Sequence, residues 1–249
     1  MRIYSNAQSC TYRNTEERHF MIITLASSKG GVGKSTTTAA LAGALAHQGR
    51  SVHIVDLDSN HTVSRWLGDG SAAPRLTVSV ADPQDLTEHL GMIERAHQPD
   101  VILIDIAGTY ERALTVAVAR AHLTIIPAAP SEADLFEAAR VARHIRSVFQ
   151  AFGREPLFRL LLTRVQPLAS HAQVHACAEI ERLKLPAFEN VIQQRAAYME
   201  IGLSGLPPHF AEQGRATVAK AVAEMDALVA EIVALVGGVA ALPAAREVA

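Results

Sequence analysis

A loop rich in glycine and lysine has the residue types that a phosphate-binding site needs. It runs Ser28-Lys29-Gly30-Gly31-Val32-Gly33-Lys34-Ser35-Thr36, between a predicted strand and a predicted helix rich in alanine and threonine. Glycines allow successive backbone N–H groups to turn inward around phosphate oxygens, and the start of a helix adds its positive dipole end. The spacing predicts that Lys34 reaches the β- and γ-phosphates of a nucleotide and that the Ser35 hydroxyl ligates Mg²⁺.

Two acidic segments each come directly after an apolar run. Asp105 follows Val101–Ile104 and is itself followed by Gly108. Because α/β proteins bind ligands at the carboxyl ends of strands, we expect Asp105 to hold Mg²⁺ through water and the Gly108 N–H to face the γ-phosphate. The other segment ends in Asp56-Leu57-Asp58. A carboxylate close to a γ-phosphate is well placed to orient an attacking water molecule.

Short apolar runs alternate with longer helical patterns through the rest of the chain. The predicted strands are Phe20–Ala26, Val52–Leu57, Leu76–Val80, Val101–Ile106, Leu123–Pro127, Leu157–Thr163 and Phe188–Ile192. The predicted helices are Lys34–His47, Asp85–His97, Ala113–Arg120, Glu132–Ala151, Ala172–Leu183 and Arg215–Val236. Several strands are apolar on both sides of the pleat, which is typical of parallel sheets covered on both faces. The sequence therefore predicts an α/β fold, a doubly wound and mostly parallel sheet with helices on both faces.

The composition limits the class of protein. The chain has 249 residues, 49% of them apolar, which suits one domain with a sizeable core. A formal net charge of -2 excludes a globally basic nucleic-acid binder but leaves room for a local basic face. Two cysteines cannot build a disulfide framework, and no secretory or membrane-spanning stretch is evident, so we expect a cytoplasmic protein. Residues 1–19 are expected to be a flexible extension before a single domain over 20–249.

The glycine-rich loop departs from the strict phosphate-loop pattern at one position, where Ser28 replaces a glycine. The run from Lys29 to Ser35 resembles the deviant Walker A motif of the ParA/MinD class of P-loop ATPases. The resemblance covers about residues 21–236 and implies a P-loop NTPase fold, ATP and Mg²⁺ as cofactors, and weak intrinsic ATP hydrolysis. In that class the early lysine, here Lys29, reaches across an ATP-dependent homodimer to the nucleotide of the partner.

The same resemblance assigns roles to further residues. Lys29, Lys34 and Asp58 would be catalytic, with Asp58 positioning or activating water, while Asp56 would lie near Mg²⁺ and Ser35. Arg164 and Pro207 would flank the adenine. Members of the class often have Pro-Gln after the second aspartate, whereas this chain has Ser59-Asn60. That departure concerns water positioning and turnover rate rather than nucleotide binding.

The chain is most similar to the short plasmid or chromosome partition proteins of the class. These bind DNA non-specifically as ATP dimers, and a ParB-like, centromere-binding partner stimulates their hydrolysis, so a nucleoid-associated location is expected. Family position makes Arg195 the first candidate for a DNA contact. Arg140 and Arg143 share one side of a predicted helix and are the other candidates.

Other functions remain open on sequence grounds. A MinD-like regulator at the membrane needs a basic amphipathic tail, and residues 242–249 contain one arginine, so no stable membrane association is expected. A ParA-like factor for conjugation or another cargo is equally compatible with the motifs. A carboxylase or amide ligase of related fold would need substrate-binding insertions, and none is obvious. An iron–sulfur reductase of this class would need cysteines after Asp105, and none lies between Cys10 and Cys177.

Overall fold

A computed structural model describes residues 20–107, 111–151, 153–168 and 171–237 of the chain. The strands are β1 (Met21–Ser27), β2 (Val52–Asp56), β3 (Leu76–Val80), β4 (Val101–Ala107), β5 (Leu123–Ala128) and β6 (Phe158–Leu162). They form one six-stranded, all-parallel sheet in the order β3-β2-β4-β1-β5-β6. The predicted extension 1–19 lies outside the described residues.

The helices cover both faces of this sheet. They are α1 (Lys34–His47), α2 (Thr62–Leu67), α3 (Leu86–Ala96), α4 (Glu111–Arg120), α5 (Glu132–Ala151), α6 (His171–Arg182), α7 (Ala196–Met199), α8 (Ile201–Ser204) and α9 (Ala216–Val236), with a 3-10 helix at Pro208–Phe210. Alternate residues of the central strands enter opposite cores, because successive side chains of a strand point to opposite faces. Ile23 and Leu25 join a core with α1 and α9, while Ile22 and Ala26 join the core with α3, α4 and α5.

The predicted fold class is confirmed. Strand Leu76–Val80 and helices Lys34–His47 and Glu132–Ala151 have the predicted bounds, and the other elements that were predicted and found differ by one or two residues at their ends. The strands that border the site carry continuous apolar runs because both of their faces are covered. Within the described part of the chain, no helix has the length and apolar content that a membrane crossing requires.

The predicted strand Phe188–Ile192 is wrong. The segment touches the sheet through isolated bridges, Leu160 to Ala187 and Val165 to Gln193. Between these points the amides of Phe188 and Ile192 donate to the β6 carbonyls of Leu160 and Leu162, both at 2.9 Å. The Glu231 carboxylate of α9 accepts hydrogen bonds from the two amides in the middle, Glu189 at 2.8 Å and Asn190 at 3.1 Å. A half-buried side chain of α9 thus satisfies two amides in the middle of the segment, which interrupts the ladder that a seventh strand would need.

Histidine side chains join β2, β3 and α3 at the β3 edge of the sheet. His53 on β2 is 3% exposed and bonds through Nδ1 to Thr77 Oγ1 and through Nε2 to Ser79 Oγ, both at 2.8 Å. Ser79 Oγ also contacts His89 Nε2 at 2.8 Å, and the rings of His53 and His97 lie 5.3 Å apart. Burial, followed by the proximity of His97 and His89, lowers the pKa of His53 from its ordinary value to about 4.

This network predicts a loss of stability at acid pH. The unfolded chain takes up a proton at His53 near pH 6.5 and the folded chain near pH 4, so protons favour the unfolded state over this range. The free energy of unfolding is expected to be highest above pH 6.5 and to fall by up to about 3 kcal/mol toward pH 4. Urea unfolding at a series of pH values measures this, with His53→Gln as the comparison. Equal pH dependence in both proteins would show that His53 is not responsible.

Candidate nucleotide-binding site

The glycine-rich loop lies between β1 and α1, at the carboxyl edge of the sheet. Gly31 and Gly33 have φ values of 79° and 82°, in the left-handed region that favours glycine. The segment after β6 braces the loop from the side. Thr163 Oγ1 donates to the carbonyl of Val32 at 2.7 Å, and Arg164 Nη1 donates to the carbonyl of Gly31 at 2.9 Å. The loop is therefore held open in a shape that leaves backbone amides for a ligand.

Lys34 and the acids at the strand ends form one buried cluster. Lys34 Nζ donates to Asp105 Oδ1 at 2.9 Å and to Asp58 Oδ2 at 3.1 Å. Ser35 Oγ donates to the other oxygen of Asp105 at 2.7 Å. The side chain of Asp105 is fully buried. Lys34, Ser35 and Asp105 thus lie together at the carboxyl edge of the sheet, where the sequence predicts phosphate and magnesium binding.

Charge pairing and hydrogen bonding determine the ionisation of Lys34 and Asp58 in this cluster. Burial opposes the charge on Lys34, yet the carboxylates of Asp105 and Asp58 outweigh it and raise the pKa of the ammonium. Partial burial likewise opposes ionisation of Asp58, and the Asn60 amide with the Lys34 ammonium lowers its pKa nevertheless. At neutral pH the lysine is therefore cationic and Asp58 is anionic, as phosphate binding and water orientation require.

Asp56 lies beside Asp105, its register partner on the neighbouring strand. Its two carboxylate oxygens accept hydrogen bonds from backbone amides, Oδ1 from Asp58 at 3.1 Å and Oδ2 from Ser64 at 2.9 Å. Ser64 lies in the first turn of α2, so the Asp56 carboxylate caps the N-terminus of that helix although Asp56 lies on β2. This residue fixes the backbone that carries Asp58.

Oxygen donors near the loop suit Mg²⁺. The Ser35 hydroxyl and the Asp105 carboxylate are hard oxygen ligands, and Asp56 supplies a second carboxylate nearby. Among the described residues, no group of three or more His, Cys, Asp or Glu side chains is arranged to hold a metal by itself. The donor set therefore fits a magnesium ion that keeps several waters and shares phosphate oxygens.

Lys29 is held by its own chain. Its ammonium forms an ion pair with Asp134 in the first turn of α5, and the lysine side chain is 44% exposed. Next to it, Ser28 Oγ donates to Glu137 Oε2 at 2.7 Å. Asp134 and Glu137 lie one turn apart on the helix, so both residues at the start of the loop are tethered to the same face of α5.

A cavity of about 420 Å³ extends from the loop along the start of α1. It is lined by the loop and first turn of α1, by Asp58, Asn60, Thr62 and Trp66, by Thr163 and Arg164, and by residues between 192 and 199. Its dimensions suit a small organic ligand whose charged end would lie on the glycine-rich loop.

Comparison with known proteins identifies the family. Residues 23–208 match the family described as CbiA: CobQ/CobB/MinD/ParA nucleotide binding domain. The chain belongs to this family. It is 28% identical over 211 residues to Protein ParA of Rhizobium radiobacter, covering 83% of this chain and 93% of that protein. It is 30% identical over 187 residues to the Maintenance of carboxysome distribution protein A of Gloeobacter kilaueensis, covering 74% and 82%.

A solved structure confirms the ParA/MinD-type P-loop fold. The septum site-determining protein MinD complexed with Mg-ADP, from Pyrococcus horikoshii, superimposes with a TM-score of 0.64. The alignment covers 88% of this chain and 99% of that one at 23% identity. Residues 23–208 of this ParA/MinD-family chain therefore correspond to the nucleotide binding domain of the family, and the glycine-rich loop and α1 lie within that range.

The structure brings most of the predicted phosphate and metal residues together. Lys29, Gly30, Gly31, Gly33, Lys34, Ser35, Thr36, Asp58 and Arg164 all line the cavity. Val32 is buried within the loop, and Asp56 and Asp105 lie beneath it in the sheet. Gly108 lies outside the described residues.

Two residues expected beside the base have other contacts. The Arg164 guanidinium is bonded to the loop carbonyl of Gly31. Pro207 is buried against α1. It lies so close to Gly43 that a Cβ built on this glycine would be 2.3 Å from the proline Cβ. Pro207 is absent from the described lining of the cavity.

The three arginines expected to contact DNA lie apart. Arg140 and Arg143 are on α5, where Arg140 pairs with Glu137 at 3.1 Å. Arg195 precedes α7 on the other face of the sheet, and it pairs with Glu224 of α9 at 2.5 Å with 15% of its side chain exposed.

The sequence did not reveal four residues of the site. Asp134 and Glu137 contact the loop only because β5, which leads to α5, is the neighbour of β1 in the sheet. Trp66 and Tyr198 line the cavity from α2 and α7. Those helices have six and four residues, too few for a periodic pattern to be recognised.

Proposed function

We propose that this chain is a ParA-like ATPase that positions or segregates DNA, dimerising on ATP and dissociating after hydrolysis. The observation that carries the proposal is the contact of Lys34 and Ser35 with the buried Asp105 beneath a left-handed glycine loop. Family membership supports the nucleotide, and the similarity to Protein ParA of Rhizobium radiobacter supports the role.

Each side chain of the cluster has a separate role in the proposed ATP hydrolysis. The backbone amides of the loop and the Lys34 ammonium bind the β- and γ-phosphates and stabilise the charge that develops on them. Mg²⁺, held by Ser35 and by Asp105 through water, would neutralise phosphate charge when bound. Asp58 orients a water molecule whose oxygen bonds to the γ-phosphorus as the bond to the bridging oxygen breaks. ADP and inorganic phosphate are the products, and weak intrinsic turnover is expected from the resemblance to the class.

The proposed dimerisation depends on Lys29. Its side chain is partly exposed, lines the cavity and is paired with Asp134 of its own chain. In the proposed ATP dimer, Lys29 leaves Asp134 for the phosphates of the partner's nucleotide, which offer a greater negative charge. Hydrolysis removes that charge, so the lysine returns and the pair separates.

DNA is the proposed binding partner of the ATP-bound dimer. The candidate DNA contacts are Arg140 and Arg143 on α5 and Arg195 on the opposite face of the sheet. A symmetric dimer would present each of these contacts twice. Non-specific binding needs only phosphate contacts, so the log of the affinity should fall linearly with the log of salt concentration. A slope near zero would contradict DNA binding. A ParB-like partner that stimulates hydrolysis and a nucleoid-associated location in the cytoplasm complete the proposal.

Another cargo is the second candidate. The relative from Gloeobacter kilaueensis named for carboxysome distribution is 30% identical to this chain and matches over 82% of its length. This similarity favours a positioning ATPase whose cargo is not DNA. A factor for conjugation, which the motifs also allow, would use the same nucleotide cycle. A MinD-like membrane role is the less favoured alternative, and co-sedimentation with anionic liposomes in the presence of ATP would reveal it.

The mass of the protein in solution tests the proposal. With MgATP, light scattering should give about 53 kDa, twice the 26.7 kDa of the chain, and with ADP or no nucleotide it should give the monomer. Lys29→Ala should stay monomeric in ATP, because it removes the proposed bridge. Lys220→Ala, which removes an exposed lysine of α9 away from the cavity, should dimerise normally. A monomer in every condition would refute the dimer mechanism.

A further inference from the structure

An open groove of about 540 Å³, here called the α9 groove, lies between the segment 190–195 and α9. The charged side chains that line it are Arg195, from the segment, and Lys220 and Glu224, which lie one turn apart on α9. Lys220 is exposed and has no ion-pair partner among the described residues. Two cations and a single acid therefore line the groove.

The carboxylate of Glu224 occupies the guanidinium of Arg195. Its Oε1 accepts hydrogen bonds from Arg195 Nε at 2.9 Å and from Nη2 at 2.5 Å. Each of the two side chains is only 15% exposed, so solvent and salt screen this pair less than a surface pair. A guanidinium binds carboxylate and phosphate through the same N–H donors. A phosphate group can therefore bind Arg195 fully only by competing with Glu224.

Glu224 is itself held in this position. Its other oxygen, Oε2, accepts a hydrogen bond at 2.9 Å from the hydroxyl of Tyr198, a buried residue. On the other side of the guanidinium, Gln193 Oε1 accepts from Arg195 Nη2 at 2.9 Å. The acid is thus fixed by α7, and a change of partner requires the arginine to move rather than the glutamate.

We propose that Glu224 is an internal competitor for DNA phosphate, which keeps the α9 groove from binding DNA while it holds Arg195. The inference rests on the proposed function, because it takes DNA as the polymer that the chain binds. With Arg195 held, the groove presents one uncompensated cation, Lys220, to a phosphate backbone. With Arg195 released, it presents two. Glu224 therefore keeps DNA binding by the nucleotide-free chain weak.

Glu224→Gln tests the competition, because it removes the charge and keeps a side chain that can still accept a hydrogen bond from Tyr198. Without nucleotide, this variant should bind a random-sequence DNA duplex roughly 5- to 150-fold more tightly than the wild type, the usual range of coupling between two sites. The slope of log affinity against log salt should steepen by about one for the added phosphate contact. Fluorescence anisotropy of a labelled duplex over a salt series measures both.

Control variants separate competition from a general effect of charge or folding. Glu181→Gln removes an exposed acid of α6 and should bind DNA as the wild type does. In an Arg195→Ala background, Glu224→Gln should give no gain, because its effect requires the arginine. Thermal unfolding shows whether each variant is folded. Should Glu224→Gln not fold, Glu224→Asp, whose shorter side chain withdraws the carboxylate, is expected to give a smaller gain of the same sign.

The wild type in MgATP distinguishes the two levels of the proposal. If it binds the duplex while folded Glu224→Gln shows no gain without nucleotide, the role of Glu224 is overturned and the DNA-binding proposal is retained. An equal gain in Glu181→Gln, or a gain that persists without Arg195, would also overturn that role. If neither the wild type nor Glu224→Gln binds the duplex, with or without MgATP, both proposals are overturned.

Discussion

Lys34→Met is expected to lower ATP turnover by roughly 10²- to 10³-fold, the usual cost of removing one preorganised group that stabilises transition-state charge. The lysine is cationic, buried and 2.9 Å from Asp105, so no water molecule or neighbouring side chain can replace its charge. Phosphate release at saturating ATP measures the effect, and calorimetry reports the accompanying loss of ATP affinity.

The same substitution also affects stability. Removing Lys34 leaves the Asp105 carboxylate buried without its cation, which typically costs about 3–5 kcal/mol unless the acid takes up a proton. Lys34→Arg therefore serves as the control, since it keeps the charge in the cluster and should remain folded. If Lys34→Met were folded and hydrolysed ATP at the wild-type rate, Lys34 would have no part in catalysis.

Asp58→Asn is expected to reduce turnover by roughly 10²-fold or more while ATP stays bound, because it removes the carboxylate that orients water. Asparagine can still accept the hydrogen bond from the Asn60 amide, now 2.9 Å from Asp58 Oδ1, so the local backbone should persist. Single-turnover hydrolysis separates the chemical step from binding. The variant should accumulate as the ATP dimer.

A second acid provides the matched control for this substitution. Asp69→Asn changes an exposed carboxylate that accepts from the Ser71 amide, outside the described lining of the cavity. Its turnover should equal that of the wild type. Should Asp58→Asn also turn over normally, the water would have to be oriented by another group.

The sheet and the phosphate end of the cavity could be predicted because their signals are local. A glycine loop with Lys34 needs one backbone shape, and apolar runs that end in Asp56 or Asp105 indicate buried strands with acids at one edge. Ile104 and its neighbours carry this signal within a few residues. The elements that position the loop were therefore recognisable from the sequence alone.

The other contacts depend on residues far apart in the chain. Lys29 and Asp134 are 105 positions apart and meet because β5 lies beside β1. The segment after Pro186 has strand composition, but Glu231 of α9 accepts hydrogen bonds from two of its amides, those of Glu189 and Asn190, and interrupts its pairing with β6. Trp66 follows an acidic motif on a helix of six residues, whose place beside α8 depends on Gly202. Such pairings follow from tertiary packing, which no local pattern encodes.

Titration calorimetry of the folded wild-type protein with ATP, in the presence of magnesium, tests the central claim most directly. The geometry of the loop, Lys34 and Ser35 predicts saturable binding of one ATP per chain, with lower affinity when Lys34 is replaced by methionine. Folded protein that takes up no ATP under these conditions would contradict the account.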